Sequence, residues 1–177
     1  MEANRSFAAA LNDQIANEFG ASMQYIGAAV YYDAETLPRL ASFFYRQAAE
    51  ESSHAMMMIQ YLLDVGEEVL IPDIESKQTR FDDGVTPVRM ALDQECRVGE
   101  EINRLFELAR ETRDYRAEQF MQWFVKEQVE EVALMQDLLN VVERSRDNLL
   151  LVEDYLAREN PGDENDPTAP PAAGGTL

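Results

Sequence analysis

The sequence predicts an all-α protein: a bundle of four long helices, with a long crossover between the second and the third, and a short fifth helix. Apolar residues recur at alternating steps of three and four along four long segments, which is the spacing of one face of an amphipathic helix. Residues 67–85, between the second and third segments, show no sustained period. Because long loops are uncommon in compact domains, this connection is expected to cross the length of the bundle and to join two helical hairpins.

Capping and helix-breaking residues indicate the bounds of each predicted helix. Pro38 suits the first turn of the second helix and Gly66 marks its end. Pro87 opens the third helix and Asp114 caps the fourth. The predicted helices cover, in order, residues 6–33, 36–64, 86–112, 114–145 and 148–159.

The composition changes abruptly after residue 159. Pro, Gly, Ala and acidic residues dominate residues 160–177, and such a composition buries too little apolar surface to fold. We therefore predict one domain over residues 1–159 and a disordered tail over residues 160–177. The tail is either an inert solubilising extension or a segment that docks the protein onto an encapsulating compartment.

Composition and charge limit the classes of function. Hydrophobic residues make up 46% of the 177-residue chain, enough for one full-sized core. The 15 Lys and Arg against 34 Asp and Glu give a net charge of −19, which disfavours nucleic acid as a partner. Residues 1–10 lack the pattern of a signal peptide, and no segment has the length and apolarity of a membrane span. Together with the single Cys96, which excludes an internal disulfide, these features predict a cytoplasmic protein.

Ionisable residues interrupt the apolar face of the second helix. The face that runs from Leu40 to Tyr61 contains Glu51 and His54, which are three residues apart and therefore on one side of the helix. A buried carboxylate without a partner costs several kcal/mol, so another group must compensate for it. A metal ion is the first candidate, and a buried ion pair between Glu51 and His54 is the alternative.

The apolar faces of the other three long helices carry acidic interruptions as well, at Glu18, Glu95 and Glu131, the last with Gln128 beside it. Carboxylates at such positions in all four helices are best explained by one shared site. Two divalent cations would neutralise their four negative charges, whereas one cation would leave roughly two charges in a medium of low dielectric constant. Carboxylate oxygens with one imidazole suit iron or manganese better than structural zinc.

Four segments of the chain resemble the bacterial non-haem ferritins, which are ferritin-like di-iron carboxylate proteins. The resemblance spans residues 6–159 and rests on Asn17-Glu18-Phe19, Glu50-Glu51-Ser52-Ser53-His54-Ala55, Asp93-Gln94-Glu95 and Gln122-Trp123-Phe124-Val125-Lys126-Glu127-Gln128-Val129-Glu130-Glu131. It implies a ferritin-like four-helix bundle that stores and detoxifies iron. It also implies a ferroxidase, an enzyme that oxidises Fe(II) to Fe(III) with O₂ or peroxide, in a hollow homo-oligomeric shell of 24 subunits that holds the ferric mineral.

The resemblance implies two adjacent iron sites, a di-iron centre. Glu18 and His54 would bind the first iron, and Glu51 would bridge it to the second. Glu95 and Glu131 would complete the second site. A non-catalytic storage shell, or a small di-iron oxidase that acts on an organic substrate, is disfavoured by the complete ligand set and by the fifth helix.

Further residues match the surroundings of this pair in the family. Gln128 would lie close to the second iron as a weak ligand. A third iron is expected at Glu50, Glu127 and Glu130, for which a partly solvated helix edge is the alternative reading of the last two. Tyr25 matches a tyrosine near the centre and is included among the candidate catalytic residues, although a core tyrosine with a satisfied hydroxyl is as good an interpretation.

Two departures separate the chain from other relatives. Bacterioferritins carry a second Glu-x-x-His motif and bind haem through a methionine after the bridging glutamate, whereas this chain has Gln128-x-x-Glu131 and Ser52. No haem is therefore expected. The DNA-protecting mini-ferritins place ligands across a subunit interface and lack a fifth helix, which disfavours that class as well.

Three smaller expectations concern residues near these motifs. Glu118 is a candidate acid of an entry channel, and an ordinary solvated acid at a helix start is the equal alternative. Cys96 is expected to be a small buried residue beside a ligand. Residues 56–58, all methionine, are expected to pack in the core and not to bind metal through sulfur.

Overall fold

The computed structural model describes residues 6–74, 78–162 and 166–175. Within these ranges the chain forms five α-helices and no strand, and no helix has both the length and the apolar character to cross a membrane. The helices are α1 (Phe7–Ala34), α2 (Pro38–Val65), α3 (Thr86–Glu111), α4 (Tyr115–Arg144) and α5 (Leu150–Glu159). The predicted four-helix bundle with a short fifth helix is confirmed, with helix bounds within a few residues of those expected.

Local sequence explains where the helices begin and end. Ser6 Oγ accepts a hydrogen bond from the backbone N–H of Ala9 at 3.2 Å, and Asp114 Oδ1 accepts one from the N–H of Ala117 at 3.1 Å. Both bonds satisfy amides that have no partner within the helix. Gly66 ends α2 at φ +78°, a left-handed conformation that favours glycine.

The connection between α2 and α3 crosses the length of the bundle beside α1. α1 packs along α2 and α3 packs along α4, which gives the two expected hairpins. Near the start of α1, Asn12 Oδ1 accepts a hydrogen bond from the N–H of Leu70 at 2.8 Å. Near its end, the Tyr32 hydroxyl donates to the carbonyl of Gly84 at 2.7 Å. The described parts of the crossover, residues 67–74 and 78–85, thus lie along α1 from near its start to near its end. α3 therefore runs antiparallel to α1 and parallel to α2.

A polar layer divides the core of the bundle into two apolar halves. One half contains Leu40, Phe44, Met135, Val142 and Leu156 among others. The second half contains Leu11, Ile15, Met58, Ile102 and Met121 among others. α5 closes the first half, since the Glu153 carboxylate accepts from the backbone N–H of Arg39 at 2.8 Å and of Leu40 at 2.9 Å, which caps α2 from outside the helix.

Part of the C-terminal tail, for which the composition predicts disorder, is among the described residues. Residues 166–175 lie against the bundle, where the N–H of Ala173 donates to the carbonyl of Met56 at 3.0 Å and the Ala173 side chain is buried. Earlier in the tail, the guanidinium of Arg46 donates to the carbonyl of Pro161 at 3.2 Å. Small alanines let the backbone approach the helices closely, which the composition alone does not reveal. Residues 163–165 and 176–177 lie outside the described part of the chain.

Candidate metal centre

The polar layer consists of one glutamate from each long helix together with a histidine from α2. Each of these side chains is at most 5% exposed: Glu18, Glu51, His54, Glu95 and Glu131. The apolar seam of each helix faces the bundle axis, so an acidic residue placed in the seam must also face that axis. The structure thus brings all five side chains into the same layer.

Glu18, Glu51 and His54 form the tightest group in this layer. Each offers a ligand atom within 4.8 Å of one from each of the other two. His54 Nδ1 lies 3.8 Å from Glu51 Oε2, which is too long for a hydrogen bond. Glu18 Oε1 accepts a hydrogen bond at 2.8 Å from Nε2 of Gln14.

Glu95 is held by two donors. The Tyr25 hydroxyl donates to Oε1, and the Gln128 amide Nε2 donates to Oε2 at 2.6 Å. Tyr25 is fully buried and its ring packs against Phe44, with centroids 5.8 Å apart. Tyr25 therefore has its hydroxyl satisfied by the centre itself, and Gln128 is directed at Glu95.

Three carboxylate oxygens in the layer are buried and accept no hydrogen bond from an N–H or hydroxyl group in the described residues. They are Oε2 of Glu18, Glu51 and Glu131. Buried polar atoms normally have hydrogen-bond partners, so three carboxylate oxygens without one in the same layer indicate a binding site for a cation between them. Oxygens with a single imidazole are the ligands of a borderline divalent cation such as Fe(II), so the residues fit iron.

Burial sets the protonation of the metal-free layer. It is the largest cause that raises the pKa of all four carboxyls, Glu18, Glu51, Glu95 and Glu131, and it acts together with repulsion between neighbouring carboxylates. The pKa of Glu131 rises to about 9. The layer therefore holds protons at neutral pH, and divalent cations would displace them.

A second, more open group lies beside the layer on the α2–α4 side. Glu50, His54 and Glu127 offer ligand atoms within 4.8 Å of one another. Glu130 does not join them, because its carboxylate is exposed and lies 3.4 Å from Lys126 Nζ. Of the three residues expected to bind a third iron, the structure brings together Glu50 and Glu127, with His54 next to them.

A pocket with a water-accessible volume of about 240 Å³ opens above this second group, and the tail forms part of its wall. Asp166 Oδ2 accepts hydrogen bonds from Trp123 Nε1 at 3.1 Å and from Lys126 Nζ at 3.2 Å. The pocket is lined by Glu50, Ser53, His54, Met57, Trp123, Glu127, Asp166 and Ala169. Asp166 therefore fastens the tail over one opening of the centre.

Two residues of the site were not found from the sequence. Gln14 lies four residues before Glu18 and so on the same helical face, a spacing that would have revealed it. Asp166 lies 43 residues from Trp123 in a segment without periodicity, and nothing local signals their contact.

The structure also places four further features for which the sequence led to expectations. Cys96 is exposed, contrary to the prediction, because the residue after an inward-facing Glu95 is turned about 100° away on the helix. The Ser52 hydroxyl lies 2.9 Å from Ser22 Oγ, in the contact between α1 and α2. Glu118 lies 3.5 Å from Arg110 Nε. Residues 56–58 pack in the second apolar half, as expected.

Comparisons with known proteins agree with this geometry. The model of the ferritin-like domain matches residues 8–145. Ferritin BfrB of Mycolicibacterium smegmatis is 52% identical over 171 residues, covering 97% of this chain and 94% of that protein. A protein of Mycobacterium tuberculosis named Bacterioferritin BfrB is 47% identical over the same shares of the two chains. The open-pore ferritin of Archaeoglobus fulgidus superposes with a TM-score of 0.82 at 28% identity, covering 86% of this chain and 96% of that one.

One of the two sequence relatives is named a ferritin and the other a bacterioferritin. The comparisons therefore establish the family but not whether its haem-free type applies to this chain. The family model covers most of the chain, and the relatives cover nearly all of it. This chain is a member of the ferritin family.

Proposed function

We propose that the protein stores iron and acts as a ferroxidase, oxidising Fe(II) to Fe(III) at the buried layer between the four long helices. Membership of the ferritin family supports iron storage with ferroxidase-type activity. The observation that carries the proposal for this layer is the set of three buried carboxylate oxygens without donors, next to His54. In a purely structural network of ion pairs, these buried oxygens would be expected to have donors.

The ligands divide into two adjacent iron sites in this proposal. Glu18 and His54 bind the first Fe(II), Glu95 and Glu131 bind the second, and Glu51 bridges the two. The clustering of Glu18, Glu51 and His54 within 4.8 Å supports the first assignment. Gln128 acts through Glu95, to which its amide donates, and serves as a weak ligand at most.

The carboxylates supply the driving force for oxidation. Anionic oxygen ligands stabilise Fe(III) over Fe(II), which lowers the reduction potential of the bound iron. Two Fe(II) ions each give one electron, so O₂ is reduced to H₂O₂ with uptake of two protons, or H₂O₂ to two waters with the same uptake. Because the metal-free layer holds protons, Fe(II) binding releases protons next to the place where reduction consumes them.

A third iron is proposed at Glu50 and Glu127, on the path between the layer and the open pocket. Their clustering with His54 supports it. Glu130 contributes only if its carboxylate leaves Lys126, from which it is 3.4 Å away. Tyr25, which donates to Glu95, is placed where it can influence the second iron, either by positioning Glu95 or by redox chemistry.

We further propose a haem-free shell of 24 subunits in the cytoplasm. Ser52 offers no thioether to haem iron and is engaged with Ser22, which supports the haem-free type. Large apolar side chains exposed on one chain need partners in an assembly, among them Met23, Val30, Leu63, Ile71, Leu150 and Leu151. Docking of the tail to an encapsulating compartment stays a prediction.

The test combines oxygen uptake with a size measurement. Aerobic addition of Fe(II) to the wild-type protein should give ferric absorbance and rapid O₂ consumption, and Glu51→Ala or His54→Ala should slow consumption by about 100-fold or more. Glu100→Ala, at a carboxylate that is 77% exposed, is the matched control and should match the wild type. Equal rates in wild type and both site variants would overturn the catalytic assignment and favour a passive shell. Electron microscopy should show a hollow particle, and a monomer or dimer would favour a small oxidase.

A further inference from the structure

A chain of hydrogen bonds connects the surface between α1 and α3 to the buried Glu18. Gln14, one helical turn before Glu18, is only 3% exposed and donates from Nε2 to Glu18 Oε1 at 2.8 Å. Asn17 Nδ2 donates to Gln14 Oε1 at 3.3 Å and to Glu101 Oε2 on α3 at 3.0 Å. All three of these outer residues line an open cleft on this side of the bundle.

The direction of each amide in this chain follows from the chemistry of its ends. The Glu101 carboxylate can only accept hydrogen bonds, so Asn17 must present its Nδ2 and not its oxygen. Gln14 must then offer Oε1 to Asn17, which leaves Nε2 for Glu18. A surface carboxylate on α3 thus determines which atom of Gln14 faces the centre.

The donor from Gln14 makes the two oxygens of Glu18 unequal. Oε1 is held by the amide, whereas Oε2 is buried and accepts no hydrogen bond from an amide or hydroxyl in the described chain. Glu18 also offers a ligand atom within 4.8 Å of Glu51 and His54. We propose that Gln14 is a positioning residue for the first metal ion, holding Glu18 so that Oε2 faces the ion, and that Asn17 and Glu101 hold Gln14 in turn. This inference rests on the proposed function of the layer.

A second buried glutamine in α1 separates a positioning role from simple packing. Gln24 is 5% exposed and its amide also donates to an oxygen, the backbone carbonyl of Gln78 in the crossover. Among the described residues, Gln24 makes no hydrogen bond to a carboxylate of the layer. Replacement of either glutamine by methionine keeps the length of the side chain and removes one buried donor. Gln14→Met also removes an acceptor of Asn17, and of the two variants only Gln14→Met removes a contact with Glu18.

The experiment measures binding of Co(II), an oxidation-resistant probe, to the assembled, iron-free protein by its visible absorption. Wild type should show a binding step that Glu51→Ala removes. Gln14→Met should weaken that step by about 10-fold to 100-fold, as is typical when an outer hydrogen-bond partner of a ligand is lost. Asn17→Ala should weaken it in the same direction by a smaller factor, and Gln24→Met should bind as the wild type does.

The outcomes separate this inference from the proposed function. If Glu51→Ala binds Co(II) like the wild type, the layer is not the metal site and the proposed function fails first. If Glu51→Ala abolishes binding while Gln14→Met and Asn17→Ala both match the wild type, only the positioning role is overturned. Should Gln14→Met fail to assemble, Asn17→Ala decides, since that side chain is only partly buried and lies outside the ligand set.

Discussion

The two halves of the metal centre differ in how firmly their carboxylates are held. On α1 and α3, Glu18 accepts from Gln14, and Glu95 accepts from Tyr25 and Gln128. On α2 and α4, Oε2 of Glu51 and Oε2 of Glu131 are buried and have no hydrogen-bond partner among the described residues. Each carboxylate of the α1–α3 half thus has at least one oxygen fixed by a side-chain donor, although Oε2 of Glu18 has none, whereas the α2–α4 half depends more on the proposed metal ions for its order.

The same contrast appears in how the two halves meet solvent. The pocket that reaches His54 opens between α2 and α4 and is lined by Glu50 and Glu127. On the opposite side, the cleft between α1 and α3 ends on the side chain of Gln14. In the proposed function, the carboxylate that bridges the two ions, Glu51, is thus one whose Oε2 has no donor, and it lies next to the more direct opening. Fixed donors on the other side give the ions a template of constant shape.

The largest expected effect that separates the halves is on the stability of the metal-free protein. Glu131→Leu removes a buried carboxyl that no donor satisfies, so the metal-free protein should become more stable by about 1–4 kcal/mol. Glu95→Leu leaves the Tyr25 hydroxyl without its acceptor and leaves the Gln128 amide with only the backbone carbonyl of residue 95, so the protein should lose about 1–3 kcal/mol. Melting temperatures of the chelated, metal-free variants check the signs.

Opposite shifts would support the comparison between the halves. Shifts of the same sign and size in both leucine variants would show that all carboxylates of the layer are equally unsatisfied. Added Co(II) provides the second arm of the experiment: it should raise the melting temperature of the wild type strongly and that of either variant much less, since each variant lacks a ligand.

The next effect in size is the pH dependence of the metal-free protein. Burial raises the pKa of Glu18 and Glu51 well above the usual value of a glutamate and that of Glu131 to about 9. The folded state therefore binds more protons than the unfolded state between roughly pH 4.5 and 9, and stability falls as the pH rises through that window. The melting temperature of metal-free protein should fall from pH 5 to pH 9, and bound Co(II) should flatten the slope.

Glu131→Leu is the control for this slope, because the net charge of −19 also destabilises the folded protein as the pH rises. The variant retains nearly all of the surface charge and loses one raised pKa, so its slope should be shallower than that of the wild type. An identical slope in the two proteins would assign the pH dependence to the surface and not to the α2–α4 half.

Sequence reasoning located most of the layer because the signal was local. An acid in an apolar seam of period 3.6 can face only the bundle axis, and four such seams pointed to Glu18, Glu51, Glu95 and Glu131. The bounds of the helices followed from caps such as Asp114 for the same reason.

Contacts between distant segments could not be read in this way. The tail was assigned from composition, which registers its prolines and glycines but not the fit of Ala173 against α2. Glu130 was placed with Glu127 by the pattern of the family, whereas its side chain lies one helical turn from Lys126 and pairs with it. The spacing of residues predicts which side of a helix a side chain lies on. Which of two neighbouring side chains it contacts there depends on the packing of the folded structure.

The smallest expected effect concerns the tail that covers the opening of the α2–α4 half. Asp166→Ala removes the acceptor shared by Trp123 and Lys126, so the tail should detach locally and expose the only tryptophan of the chain. Emission of Trp123 should move to longer wavelength, and its quenching by acrylamide should rise roughly twofold, as expected for local opening without global unfolding. Asp93→Ala, at an exposed aspartate on α3, should change neither.

If metal enters the centre through this pocket, the rate of Co(II) uptake should rise with the quenching in Asp166→Ala. Increased quenching with an unchanged uptake rate would show that ions reach the centre from the α1–α3 cleft, and would reverse the assignment of the open half.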